Sequence, residues 1–149
     1  MEGAHVVCIG RSPSSRLSLQ PLRRERPEAT DYWDGNWVET TVVVAAGAFR
    51  GEFRAALRVE DFARFRDEVR VLYESLAGHA RFGTMEEWIA VEIEGDGKGL
   101  LRAECSVLDE PGIGNRLTFT LSLDQTDLPE MLRSLDAICG AFPAIGAPP

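Results

Sequence analysis

The sequence predicts an α+β fold in which one antiparallel β-sheet of about six to seven strands carries two amphipathic helices on one face, giving two layers. Most predicted strands alternate apolar and polar residues, as strands do when only one face is buried. Glycine-containing turns join strands into hairpins, and two segments have apolar residues at helical spacing. With 149 residues, we expect a single domain over residues 1–149, loosely ordered at 1–15 and 144–149.

The first part of the chain predicts two short strands and one long hairpin. Residues 5–9 and 17–22 are candidate strands, separated by a segment rich in Ser and Pro. Across residues 38–59, strict alternation surrounds Gly47 and Ala48, which suit the two central positions of a type II′ turn. The numbers of facing residues would then sum to about 95, and both apolar sets would share one face.

Two helices and a late strand follow from the spacing of apolar residues. Helical spacing predicts a helix over residues 61–77, which Gly78 would end. Residues 117–123 alternate and predict a half-buried strand. A closing helix begins at Asp127, a residue type suited to capping a helix, and its apolar stripe ends at Phe142.

A further hairpin lies between the two helices. Residues 88–94 and 101–107 both place apolar residues at odd numbers, so the loop around Gly97 must keep the odd residues of both strands on one face. A loop centred on Gly97 satisfies this condition. It predicts that Glu92 lies opposite Arg102 on the outer face.

The acidic residues are concentrated in one stretch. The whole chain has a net charge of −8. Residues 84–130 contain eleven acidic and three basic residues, so this stretch by itself also has a net charge of −8. Such a chain lacks the cations that bind phosphates, so no nucleic-acid partner is expected, whereas a basic protein is. An alternative is that the charge only keeps the protein soluble. The predicted partner-binding residues are Glu86, Glu87, Glu92, Glu94, Asp96, Asp109 and Glu110.

The cysteines and histidines show none of the spacings of a metal site. Cys8, Cys105 and Cys139 are scattered, and only His5 and His79 could join them, so neither a metal nor another cofactor is expected. Scattered, unpaired cysteines fit a reducing compartment. No apolar run approaches the ~20 residues that cross a membrane. These observations predict a cytoplasmic protein without a membrane partner.

The densest cluster of aromatic and acidic residues precedes the first long strand. In a structural interpretation, Asp34 begins a turn while Trp33 and Trp37 pin the loop onto the sheet. Two alternatives remain open: an enzyme with Asp31 and Asp34 as acid–base or metal-binding carboxylates, or a small-molecule-binding or sensory domain with a pocket near Trp33 and Trp37. We favour the structural interpretation, because no histidine or third carboxylate lies nearby. The cluster consists of Asp31, Tyr32, Trp33, Asp34, Gly35, Asn36 and Trp37.

These seven residues, followed by a β-rich run, resemble the WapI-type immunity-protein family of bacteria. The resemblance extends over residues 16–143 and includes a helix, an antiparallel block and a closing helix. It implies a non-enzymatic protein that binds and neutralises the nuclease-type domain of a cognate secreted toxin. It implies no catalytic residues. Because a nuclease must be cationic to bind its substrate, the acidic stretch is the expected contact with a basic toxin domain.

Overall fold

The computed structural model describes residues 5–149. Within that range it contains eight strands, three α-helices and one 3-10 turn. In chain order the elements are β1 (Val7–Ser12), β2 (Ser15–Arg24), α1 (Tyr32–Gly35), β3 (Trp37–Ala46), β4 (Phe49–Arg58), α2 (Val59–Ser75), β5 (Ala77–Gly83), β6 (Ile89–Asp96), β7 (Leu100–Leu108), β8 (Arg116–Asp124), the 3-10 turn (Gln125–Asp127) and α3 (Leu128–Ala141).

The strands form two four-stranded antiparallel sheets, in the orders β1-β2-β3-β4 and β5-β6-β7-β8. The prediction of one sheet with six to seven strands is therefore wrong, and so is the simple two-layer arrangement. Alternation reports that one face of a strand is buried, but it does not report which strands pair. Two sheets that share a core produce the same pattern as one sheet, and here buried residues of both sheets and of α2 and α3 form one continuous core.

Each half of the chain is a four-stranded meander that ends in a helix, and the helices contact the opposite half. On α2, Phe62 and Phe65 pack against Phe82 of β5, with ring centroids 5.3 and 5.5 Å apart. The closing helix α3 contacts both α2 and β1. Each helix therefore covers apolar surface of the half it does not follow, which makes the two halves depend on each other.

The hairpin of β3 and β4 has the predicted register. Val42 faces Phe53, and facing residue numbers sum to 95 along all ten pairs. Gly47 has a φ of +65°, whereas Ala48 is not in the positive-φ region, as the first and second central positions of a type II′ turn require. Turn chemistry and alternation together were sufficient to predict this hairpin.

The register of β6 and β7 differs from the prediction by two residues. Glu94, rather than Glu92, lies opposite Arg102, and Glu92 faces Glu104. The odd-numbered residues of both strands still share the core face, as predicted. Because a shift of two residues preserves the side-chain alternation, the apolar pattern alone cannot distinguish the two registers.

The side chain of Asp96 decides between them. Its carboxylate accepts hydrogen bonds from the amides of Lys98 and Leu100, at 2.7 and 3.1 Å. Gly97 and Gly99 adopt φ angles of +82° and +106° on either side of Lys98. The loop is therefore centred on Lys98 instead of Gly97. The carboxylate of Asp96 binds the amide of Lys98 in the middle of the loop and that of Leu100, the first residue of β7.

The long helices deviate from prediction mainly at their ends. Helix α2 begins two residues before the predicted start and ends at Ser75, where Leu76 takes the left-handed conformation with a φ of 59°. Gly78, the predicted stop, instead lies in β5, a strand with few core-facing residues that the sequence pattern did not predict. None of the helices in residues 5–149 combines the length and apolar character needed to span a membrane.

The termini make defined contacts within the described range. The predicted loose order of residues 1–15 concerns in part residues 1–4, which lie outside the described residues. Val7–Ser12 form strand β1 and pair with β2. Near the other end, the backbone of Ile145 is hydrogen-bonded to Asn36 at both its amide and its carbonyl.

We predict that Phe82→Ala lowers the free energy of unfolding by about 3–5 kcal/mol, because it leaves a cavity between α2 and the second sheet. Urea denaturation measures this change. Val71→Ala on the exposed side of α2, where Val71 is 62 % exposed, should change stability by about 0.5 kcal/mol or less. Similar effects of the two substitutions would contradict a core shared by α2 and β5.

Candidate functional site

The aromatic cluster forms the short helix α1 and the start of β3, where the sequence predicted a turn. The side chain of Asp31 accepts a hydrogen bond from the amide of Asp34 at 3.1 Å and so caps the helix. Trp33 is 47 % exposed, so it lies less deeply than a residue that pins a loop onto a sheet. Asp34 lies 3.9 Å from the guanidinium of Arg26 at the surface.

A buried arginine, Arg58, lies at the centre of this cluster. Its Cζ is 5.2, 4.9 and 4.8 Å from the ring centroids of Tyr32, Trp33 and Trp37. The guanidinium donates to the carbonyls of Trp33 and Tyr32, at 2.9 and 2.8 Å, and pairs with Glu60. Since Arg58 is 2 % exposed, these partners replace the water that its charge has lost.

Sequence reasoning missed Arg58, although a signal for it existed. The alternation of β4 placed Arg58 with the polar, outward-facing residues of the strand. The predicted register of the hairpin puts it directly opposite Trp37, as the structure does. An arginine facing a tryptophan across a strand pair indicates a cation–π contact.

Gly35 and Asn36, the two motif residues before Trp37, contact the C-terminal segment. Asn36 is fully buried, and its side-chain amide donates to the carbonyl of Ile145 and accepts from the amide of Ile145, both at 2.9 Å. Arg24 donates to the carbonyl of Gly35 at 2.7 Å and also to that of Pro143. A Cβ on Gly35 would lie 2.3 Å from the terminal methyl of Ile145, so a larger residue there requires the Ile145 side chain to move.

These contacts favour the structural interpretation of the motif, which stays a prediction until its variants are measured. Arg58 occupies the space over the rings of Trp33 and Trp37. The surface cavities found among residues 5–149 are lined by other residues. The same residues contain no group of three or more His, Cys, Asp or Glu side chains placed to hold a metal ion.

The seven predicted partner-binding carboxylates belong to the second sheet but fall into two groups. Three lie along β6 on the outer face of the sheet, and we call them the strand carboxylates. Four lie in the loops at the other end of the sheet, before β6 and after β7, and we call them the loop carboxylates. The strand carboxylates are Glu92, Glu94 and Asp96, and the loop carboxylates are Glu86, Glu87, Asp109 and Glu110.

Two of the strand carboxylates already have partners. Glu92 lies 3.0 Å from the guanidinium of Arg81 and 2.9 Å from Nδ1 of His79, both on β5. Asp96 caps its loop, and the hydrogen bond from the amide of Lys98 is the main reason why the pKa of Asp96 lies below its usual value. Glu94 is exposed and makes no hydrogen bond or ion pair within the described residues.

A further carboxylate on this face, Glu104, was not predicted. It lies directly opposite Glu92, and two facing carboxylates repel each other. Arg102 bonds to Glu104 on one side, and the hydroxyl of Thr120 donates to it at 3.2 Å. These two hydrogen bonds, that of Arg102 first, lower the pKa of Glu104. The two-residue error in the predicted register hid this arrangement.

Two of the loop carboxylates also have internal partners. Asp109 accepts a hydrogen bond from the amide of Asn115 at 2.7 Å and so closes the loop between β7 and β8. Glu87 lies 3.5 Å from the guanidinium of Arg116. Glu86 and Glu110 are exposed and have no such partner in the part of the chain that the structure describes. Their charge is therefore available to another molecule.

Exposed apolar side chains lie in the same loops. Met85 is 61 % exposed and Ile113 is 81 % exposed, next to Glu86 and in the same loop as Glu110. A surface cavity of about 490 Å³ is lined by Met85, Glu86, Arg116 and neighbouring residues. Apolar side chains inside a charged rim are typical of protein–protein interfaces. We call this set, Met85, Glu86, Glu110 and Ile113, the loop surface.

One buried carboxylate, Asp61, lies in the first turn of α2. Burial raises the pKa of Asp61 to about 6, against the opposing effect of Arg64, whose guanidinium lies 3.1 Å away. One of its oxygens, Oδ2, is buried without a hydrogen-bond partner. The charged form is therefore unfavourable in the folded protein.

Comparison with known proteins supplies one match that covers nearly the whole chain. The profile described as "Immunity protein WapI-like family" matches residues 8–143. This match confirms the resemblance seen in the aromatic motif and extends it to β1. No curated protein matches the chain.

We predict that Arg58→Lys lowers the free energy of unfolding by about 2–4 kcal/mol, because the single ammonium nitrogen cannot occupy the three positions from which the guanidinium nitrogens donate to Tyr32, Trp33 and Glu60. Thermal and urea unfolding measure this loss. Arg54→Lys, on the exposed side of the same strand, is the control and should be nearly neutral. If both variants unfold alike, Arg58 does not organise the motif.

We predict that Asp61→Asn stabilises the protein above pH 6 by about 1–3 kcal/mol. The pKa of Asp61 is raised on folding, so its contribution is most favourable at low pH and is lost as the pH rises towards about 6. The difference between variant and wild type should therefore vanish near pH 4, which denaturation curves across pH would show. Asp67→Asn, an exposed position on the same helix, should give no such pH dependence. A pH-independent difference at position 61 would contradict the explanation.

Proposed function

Because the chain belongs to the WapI-like immunity protein family, we propose that it binds and neutralises a cognate secreted toxin domain of the nuclease type. It acts by binding and not by catalysis. The observation that carries the proposal is the loop surface, where two carboxylates without a partner among the described residues, Glu86 and Glu110, lie in the same loops as exposed apolar side chains. A nuclease domain must present cations to its phosphate substrate, so an acidic inhibitor is complementary to it.

The loop surface would combine two contributions to binding. Met85 and Ile113 lose their exposed apolar area on association, which favours the complex by the hydrophobic effect. Glu86 and Glu110 lie in the same loops and attract a basic partner before contact, which increases the association rate. The strand carboxylates extend the same negative potential along β6, with Glu94 as the unpaired member.

The distribution of charge over the two sheets supports binding of the toxin domain on the side of the second sheet. The outer face of the first sheet bears Arg23, Arg50 and Arg54, of which Arg23 and Arg54 share the single carboxylate of Glu39. The outer face of the first sheet also bears Glu52. The outer face of the second sheet bears Glu92, Glu94 and Glu104, of which Arg81 and Arg102 pair with Glu92 and Glu104. The balance of charge therefore favours the second sheet as the side that a basic toxin domain would approach.

The motif carboxylates do not favour the enzyme alternative. Asp31 caps α1 and Asp34 lies near Arg26, so both have structural partners. Arg58 occupies the region over Trp33 and Trp37, where the small-molecule alternative requires a pocket. We therefore assign the motif to stability and the loop surface to binding.

We predict that reversing Glu86 and Glu110 to Lys lowers the association rate with the toxin domain encoded beside this chain's gene, by about tenfold at low salt. The difference should shrink as salt rises, because exposed charges are screened over ~8 Å at physiological ionic strength. Stopped-flow or surface-based kinetics measure both rates. Met85→Ala with Ile113→Ala should instead raise the dissociation rate.

The matched control reverses Glu25 and Glu28, two exposed carboxylates outside the second sheet, and so changes the net charge by the same amount. It should leave the association rate close to that of wild type. Equal effects of the two double variants would contradict the assignment of the loop surface. No binding and no neutralisation by the wild-type protein would contradict the proposed function itself.

A further inference from the structure

Of the four strands that lie at sheet edges, β4 makes its main contact outside its own sheet, among the described residues, with α2, which follows it directly in the chain. β1 and β8 are edges that contact each other, and α3 also contacts β1. On β5, the amide of Arg81 donates to the carboxylate of Glu68 on α2, at 2.8 Å. An uncovered edge exposes a row of unpaired backbone groups that favours the addition of another strand.

The backbone of β4 is regular enough to accept such a strand. It pairs with β3 over ten residues without a bulge, and it contains no proline. Ala46 and Phe49 close the hairpin, so odd-numbered residues of β4 bond to β3 and even-numbered ones point away. The amides of Arg50, Glu52 and Arg54 have no hydrogen-bond acceptor among residues 5–149.

We propose that two copies of this chain pair through their β4 edges, antiparallel about a two-fold axis at Gly51, to form a homodimer with a continuous eight-stranded sheet. In this register Arg50 of each copy lies opposite Glu52 of the other, which gives two ion pairs of opposite charge. Phe49, which is 64 % exposed, lies opposite Phe53 of the other copy. Even-numbered residues form the hydrogen-bonded pairs, as their outward-pointing backbone groups require.

The charges of the strand select both the partner and the register. A register shifted by two residues would place like charges opposite each other, Glu52 facing Glu52 and Arg50 facing Arg54. A register shifted by four would pair Glu52 with Arg54, but Arg54 already pairs with Glu39 within its own sheet. A basic toxin domain does not suit this edge, because Arg50 and Arg54 are exposed on it. A second copy brings its own Glu52 to Arg50, whose guanidinium within the described part of its own chain donates only to the carbonyl of Pro13, at 3.2 Å on the surface. The dimer is therefore independent of the proposed toxin surface.

The space around Gly51 suits a position on the two-fold axis. A Cβ built on Gly51 meets no atom within 4 Å, and a groove of about 340 Å³ opens beside it, lined by Phe49, Phe53 and Leu117 among others. In a non-hydrogen-bonded antiparallel pair the two Cα atoms lie about 4.5 Å apart. The open space over this face of the sheet can take apolar side chains of a second strand, and Phe49 of each copy would gain apolar cover from Phe53 of the other.

Sedimentation analysis over a range of protein concentrations tests the dimer. We expect the wild-type protein to dimerise, and Arg50→Glu or Glu52→Arg to raise the dimer dissociation constant by about tenfold or more. The double exchange Arg50→Glu with Glu52→Arg should restore association. Arg54→Gln, a change that the proposed register places opposite Ala48, should leave the constant nearly unchanged.

A cross-linking experiment tests the register without altering the ion pairs. Under mild oxidation, Gly51→Cys should form an intermolecular disulfide, because the two Cα atoms lie within the range of a disulfide. Arg54→Cys should not, since its two copies would lie about 20 Å apart along the strands. Wild-type protein controls for Cys8, Cys105 and Cys139. Circular dichroism melts establish that each variant is folded.

The outcomes separate this proposal from the proposed function. A wild-type protein that stays monomeric at all concentrations, or a dimer that Arg50→Glu does not weaken, overturns the β4 pairing. Cross-linking through position 54 instead of position 51 overturns the register. A monomer would still bind the toxin domain through the second sheet, and a dimer that fails to bind it would leave the β4 pairing intact.

Discussion

The packing of Phe82 between Phe62 and Phe65 connects the two halves of this protein, and the rest of the fold depends on that connection. Each half folds as four strands with a single apolar face, and such a face must be covered. Helix α2 follows the first sheet in the chain but packs against β5 of the second, while α3 reaches β1 of the first. Because each half supplies cover for the other, the core forms only when both are present.

A second organising contact is electrostatic. Arg58 lies at the junction of β4 and α2, in a buried site where three aromatic rings, two carbonyls and Glu60 surround its guanidinium. The motif it holds carries Asn36, which in turn binds the backbone of Ile145. A single guanidinium thus connects the first sheet, the short helix and the C-terminal segment. The aromatic rings clustered there stabilise this guanidinium through cation–π contacts.

The two sheets differ in the charge they present to solvent, and this difference matters for a protein of an immunity family. Most carboxylates on the second sheet form ion pairs with Arg81 or Arg102 or accept hydrogen bonds from loop amides. The net charge of the chain therefore overstates the number of carboxylates that are available to bind a partner. Within residues 5–149, Glu86, Glu94 and Glu110 are the carboxylates of this sheet and its loops that have no partner and could meet another protein. The first sheet, with its exposed arginines and open β4 edge, offers a different chemistry. Two kinds of association can therefore use separate surfaces.

The sequence by itself determined several features that depend on neighbours along the chain. The register of β3 and β4 follows from alternation and from Gly47, because a two-residue turn leaves one solution. The two long helices follow from apolar spacing, and the family follows from seven consecutive residues and is confirmed by the match over residues 8–143. Each of these signals is local, so no knowledge of the rest of the fold is needed to detect it.

Only the tertiary structure decided what depends on distant partners. The eight strands form two sheets whose apolar faces are buried in one shared core. The alternation of apolar and polar residues does not determine which strands belong to the same sheet. The register that places Glu94 opposite Arg102 is different in kind, because Asp96 fixes it by binding the nearby amides of Lys98 and Leu100, a local contact that the apolar pattern does not reveal. Arg58 appears in the sequence as one more exposed strand residue, and only the fold surrounds it with aromatic rings. Side-chain contacts between segments far apart in the chain carry no periodic signal, and for that physical reason the structure was needed to find them.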